Sequence, residues 1–139
     1  MEIQRVIRLL RRGERGQSLV EFALVLPLFL ILVFGIVDFG NALQDYITLS
    51  NAAREGARLG VTGVPEATIR QRTLDTAAAV GGPVTVTVTN ACGQVGQSLR
   101  VQARYTYQPI TPLGSFIAGI SGGIPLSVSA DMRLEKTGC

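Results

Sequence analysis

Histidine is absent from this 139-residue chain, and with it goes the commonest general base and metal ligand. No glycine-rich phosphate loop follows a strand pattern, and the carboxylates are spread out rather than clustered. Cysteine occurs twice, too few sulfurs for a metal site without histidine beside them. No catalytic residue, metal or cofactor is therefore expected, and an envelope enzyme is the weakest reading. A basic surface is missing too. Five arginines against Glu2 and Glu14 give residues 1–16 the whole net charge of +3, while residues 17–139 carry eight basic and eight acidic groups. Nucleic acid is excluded as a partner on that distribution.

What the chain does have is one long apolar run, residues 19–37, with Glu21 its single charge. As a helix it measures roughly 28 Å, enough to cross a bilayer core of about 30 Å. Arg5, Arg8, Arg11, Arg12 and Arg15 precede it and put the N-terminus on the cytoplasmic side. A cleaved secretory signal has a shorter apolar core with a small-x-small site behind it. Gly35-Ile-Val-Asp38-Phe-Gly40 is a poor version of that site, so the span is expected to be retained.

The block Glu14-Arg-Gly16-Gln-Ser-Leu-Val-Glu21-Phe-Ala-Leu-Val-Leu-Pro27 resembles the start of TadE-like proteins. So do its continuations, Phe34-Gly-Ile-Val-Asp38-Phe-Gly40 and Asn51-Ala-Ala-Arg54-Glu55-Gly-Ala-Arg58. These proteins are pseudopilins of the tight-adherence (Flp, type IVc) pilus machinery. The resemblance covers residues 14–60, about a third of the chain; the remainder carries no recognised motif. It implies a minor pilin or pseudopilin of the inner membrane, acting in pilus biogenesis, adhesion or secretion. A prepilin peptidase would cut after Gly16 and leave Gln17 as the new N-terminus. The implied partners are that peptidase, other pilins or pseudopilins, an inner-membrane assembly platform and the lipid bilayer.

Glu21 has a chemistry of its own. A carboxylate inside an apolar span costs a few kcal/mol and normally has a partner. Cleavage after Gly16 would create an α-ammonium one helical turn away, in the same chain or a neighbour. The first turn of a helix also favours an anion. Gly16 suits a protease that binds extended backbone, since no side chain intrudes. The plainer alternative is a lone glutamate reaching lipid headgroups.

Residues 1–16 read as a partly helical cytoplasmic leader, with Ile3, Val6, Ile7 and Leu10 on one face. Ser18 is placed as N-cap of the anchor helix, residues 17–37, which is expected to run through Pro27. The helix should continue over residues 38–60 as the spine of an extracytoplasmic domain, residues 38–139. Leu43, Tyr46, Ile47, Ser50, Ala53, Ala57 and Gly60 form its expected inner stripe, with Ala52, Ala53, Gly56 and Ala57 offering a sheet a smooth face. Arg54, Glu55 and Arg58 read as a solvated, ion-paired face. A second helix is expected over 66–80, started by Pro65 and ended by Gly81-Gly82-Pro83.

Strict alternation then predicts strands at 84–89, 99–107 and 126–134. Leu113, Phe116, Ile117 and Ile120 make a short apolar helix or turn between the last two. Covering the sheet is its expected job, with a second membrane contact or a subunit interface as alternatives. The fold class is α+β: a long N-terminal helix and a second helix packed on a three-stranded antiparallel sheet. Strands one and three then run the same way, bringing Cys92 and Cys139 to one end of the sheet. Outside the cytoplasm that favours a disulfide, against free thiols or an intermolecular bridge. The rival to an assembly subunit is an unprocessed, single-span anchored domain that binds an envelope partner.

Overall fold

The computed structural model describes residues 3–137, with side chains from residue 16 onward. The leader face of Ile3, Val6, Ile7 and Leu10, and Cys139, lie outside the described residues and side chains. Helix α1, Ile3–Gly60, runs 58 residues and is roughly 87 Å long. It passes through Gly16, Ser18 and Pro27 without a break, so Ser18 sits inside the helix and is not its N-cap. Gly13 and Gly16 cost the helix only about 1 kcal/mol each, and the Ile, Leu, Arg and Glu around them are better helix formers.

Beyond α1 come α2 (Glu66–Thr76), β1 (Thr85–Thr89), β2 (Ser98–Tyr107), α3 (Pro112–Ser121) and β3 (Ile124–Arg133). The fold is α+β as expected. Helix α2 stops four residues short of Val80. Its end tightens into turns in which the Ala78 amide donates to the Asp75 carbonyl and Val80 to Ala77, before Gly81-Gly82-Pro83. The strands pair β1-β2-β3, antiparallel throughout, with Val101 opposite Val88 on one side and Ala130 on the other.

Alternation along each strand sorts the two faces of the sheet. Val86, Val88, Leu99, Val101, Val128 and Ala130 point inward and are buried. The outer face is polar. There Arg100 stands opposite Asp131 and their side chains pair at 2.6 Å, while Gln102 donates to Ser127 at 3.2 Å. Helix α1 covers β2 and β3, and α2 lies against α1 and β1. Leu49, Ile69, Leu99 and Leu134 are fully enclosed between these layers. Each contributes about 1.5–3 kcal/mol by leaving water.

The inner stripe of α1 differs from expectation. Leu49, Ala52, Ala53, Gly56, Ala57 and Gly60 are buried, whereas Leu43, Tyr46 and Ile47 are exposed. The reason is steric. A Cβ at Gly60 would collide with Leu99 and one at Gly56 with the Thr73 hydroxyl, so only a small-residue stripe lets sheet and α2 come this close. The Arg54–Glu55–Arg58 face is solvated as expected. Glu55 takes bonds from Arg58 and from Arg72 of α2, each at 3.1 Å, and these hold its carboxyl below the usual range.

Candidate functional site

The residues that carry the sequence argument lie at the membrane end of α1. Gly16, Gln17 and Glu21 are exposed, the first two adjacent and Glu21 one turn further on. The Gln17 side-chain amide donates to the Glu21 carboxylate at 3.2 Å, so a donor four residues upstream is within reach of that oxygen. From residue 22 to residue 32 the helix is apolar on all sides, and none of the described residues covers it: Phe22, Leu24, Leu28 and Phe29 are all open. An uncovered helix that is apolar all round belongs in a bilayer or among other helices. Its length and composition suffice for one membrane crossing.

The domain takes hold of α1 where this apolar stretch ends. Asp38 lies on the same stripe as Ala42, Asp45, Leu49, Ala52 and Gly56, at three- and four-residue steps. Its carboxylate accepts hydrogen bonds from the amides of Ile110 (3.0 Å) and Thr111 (3.2 Å) and from the Thr111 hydroxyl. Thr111 is the N-cap of α3 and in turn accepts from the Gly114 amide at 3.1 Å. Burial pushes the Asp38 carboxyl up, but these three donors outweigh it and hold the group below its ordinary value. An anion is also favoured at the start of α3 by the helix dipole. The sequence alone did not single out Asp38 for this clamp. The signal was its register with the small-residue stripe.

Helix α3 does not cover the sheet. It packs on α1 and buries only Ala118, leaving Phe116, Ile117 and Ile120 exposed. Two prolines and the Asp38 clamp direct the chain to α1 before the helix starts.

Beside the clamp an open groove of about 1100 Å³ runs between Asn41, Asp45, the Gly81-Gly82-Pro83 turn and the ends of β2 and β3. Tyr107 reaches into this region with a buried hydroxyl that finds no hydrogen-bond partner among the described residues. Burial, then the charges of Asp38 and Asp45, push that phenol up. No base stands beside a nucleophile here, and the groove offers shape rather than chemistry.

At the far end of the sheet, the loop from Asn90 to Gln97 between β1 and β2 closes on the end of β3. The Gly96 amide donates to the Leu134 carbonyl and the Leu134 amide to Gln97, each at 2.9 Å. Cys92 lies exposed in this loop.

Neither the curated proteins nor the solved structures contain a match to this chain. Residues 16–58, all within α1, match the model of the family described as TadE-like protein.

Proposed function

We propose that this chain is a minor pilin or pseudopilin of a Tad (Flp, type IVc) pilus assembly machine, anchored in the inner membrane with its N-terminus in the cytoplasm. A prepilin peptidase cuts it after Gly16, freeing a mature chain that begins at Gln17. Residues 1–16 are the leader, 17–37 the anchor and 38–139 the extracytoplasmic domain. Other pilins, pseudopilins and the assembly platform are its partners, and it has no catalytic role of its own. The carrying observation is that the family match starts at Gly16 and takes in both Glu21 and the exposed apolar stretch that follows it.

The peptidase must unwind what it cuts, because Gly16 is helical in the uncut chain. Glycine makes that local opening cheap, by about 1 kcal/mol relative to alanine. Mass spectrometry of the protein from its own cell is expected to find Gln17 as the first residue. Gly16→Phe should leave the longer precursor in the membrane. An intact leader in the native protein would favour the unprocessed envelope domain instead, a reading to which the unbroken helix across Gly16 is favourable.

In this reading the outer domain faces an oxidising compartment, and Cys92 and Cys139 form a disulfide. The loop that holds Cys92 is bonded to the start of the tail that leads to Cys139, and no free cysteine occurs among the described residues. Such a bridge contributes roughly 3–4 kcal/mol on the chain-entropy account. Thiol labelling of the folded, unreduced protein should modify neither cysteine. Quantitative labelling of both would remove the bridge.

A further inference from the structure

We infer that α3 is an interfacial helix that lies in the headgroup layer of the bilayer, beside the point where α1 leaves it. Three observations converge. The first is position. The connection that contains α3 leaves the sheet at Tyr107 and returns at Ile124, which are paired across β2 and β3, so all of it projects from one end of the sheet. That end is held to Asp38, the first residue past the 17–37 span, by the bonds from Ile110 and Thr111. The headgroup layer is about 5–8 Å deep on each side of the hydrocarbon core, so a helix docked at Asp38 starts within it.

The second is chemistry. No charged residue occurs anywhere in 105–130, and the one carboxylate against the segment, Asp38, is already bonded to the Ile110 and Thr111 donors, so approach to the bilayer strips water from no ion that lacks a partner. Phe116 (70 %), Ile117 (55 %) and Ile120 (78 %) are open at helical spacing, with Ile110 exposed just ahead of the helix. The third is rigidity. Gly114 has no room for a Cβ, which would collide with Asp38 and Pro109, so α3 is seated against α1 rather than swinging from a tether. The uncovered apolar face is therefore fixed to α1 at the residue where the uncovered span ends, and lipid is the occupant that suits both. Because the segment has no charge, this contact depends on neither anionic lipid nor low salt.

The proposal rests on the 17–37 segment spanning a bilayer, and the experiment separates the two. The chain has no tryptophan, so single-tryptophan variants report one site each. Full-length Phe116→Trp, Ile120→Trp, Phe29→Trp and Val95→Trp would be reconstituted separately in phosphatidylethanolamine–phosphatidylglycerol vesicles. Bromine would be carried near the glycerol end of the acyl chains or near the middle. The Phe116→Trp emission is expected to be blue-shifted and to lose intensity to the shallow bromines more than to the deep ones, unchanged at high salt. Ile120→Trp should behave alike and covers the case in which the first variant does not fold. Phe29→Trp, within the span, should be quenched by the deep bromines. Val95→Trp, in the loop at the opposite end of the sheet, should be quenched by neither.

If both α3 reporters are no more quenched than Val95→Trp while Phe29→Trp is quenched, α3 does not touch lipid and the proposal is overturned. A blue shift without bromine quenching means that protein, a second copy included, covers this face, and overturns it too. Loss of quenching in Phe29→Trp as well would bring down the span reading itself.

Discussion

Replacing Glu21 with alanine is expected to yield a subunit that inserts, is cut to begin at Gln17, and then fails to enter a pilus. The glutamate lies beyond the scissile bond and inside the apolar helix, where an unpaired carboxylate costs a few kcal/mol. In the uncut chain the Gln17 side chain answers it with a single neutral hydrogen bond at 3.2 Å. Cleavage places an α-ammonium at that same turn. No Lys or Arg occurs between Gln17 and Arg54, so no other cation of the mature chain can serve. The amine of a neighbouring subunit reaches the carboxylate as readily as its own, which registers one helix against the next. Glu21→Gln keeps the size and the capacity for hydrogen bonding but removes the charge, so it should fail as Glu21→Ala does. N-terminal mass spectrometry reads the processing, and crosslinking or co-purification with pilus partners reads the docking. Unprocessed precursor with normal partner contacts would place Glu21 in peptidase recognition and end the docking role.

Gly56→Leu is expected to destabilise the outer domain by about 3 kcal/mol. Helix propensity alone predicts a gain, since leaving glycine inside a helix is worth up to about 1 kcal/mol. The packing reverses that sign. A Cβ at Gly56 would overlap the Thr73 hydroxyl, which is fully buried and already committed to the Ile69 carbonyl at 2.8 Å. Val101 closes the space on the sheet side. A leucine must therefore push α1 off α2 and β2, at the upper end of the overpacking range, about 3 kcal/mol. Thermal unfolding of the detergent-solubilised chain, followed by circular dichroism, measures this. A smaller pair isolates the contact: Gly56→Ala should destabilise, and adding Thr73→Ala should recover much of the loss, because the new methyl takes the place of the hydroxyl. Coupling between neighbours of this kind runs from about 0.5 to 3 kcal/mol. Additive losses would mean that the helix accommodates the methyl elsewhere and that Gly56 is not a contact glycine.

The anchor, the strands and the small-residue face of α1 were legible in the chain because each is a local pattern. Residues 19–37 are apolar but for Glu21, 98–107 alternate, and Ala52, Ala53, Gly56 and Ala57 sit on adjoining turns. Periodicity reports such elements whatever they later pack against. It also overreached. Leu43, Tyr46 and Ile47 satisfied a helical stripe equally well, and hydrophobicity ranked them as core. Only the close approach of Leu99 and Thr73 to glycine shows why bulky side chains were turned away. The C-terminal end of α2 was misjudged for a related reason, since a helical pattern and a run of tight turns place Ala77 and Val80 similarly.

The sequence by itself determined that one apolar helix with a glutamate near its start leads into an α+β domain. Burial of apolar surface and the two backbone periods act over a few residues, and they leave their mark in neighbouring letters. What only the tertiary structure decided is where that domain grips the helix and which way its last helix turns. Asp38 meets Ile110 and Thr111 across more than seventy residues of chain, and no local pattern encodes a contact of that span. The same contact takes α3 away from the sheet and leaves Phe116, Ile117 and Ile120 beside the exit of the span. A half-buried carboxylate at a helix packing face gains from donors, and the amides of Ile110 and Thr111 at the start of α3 supply them.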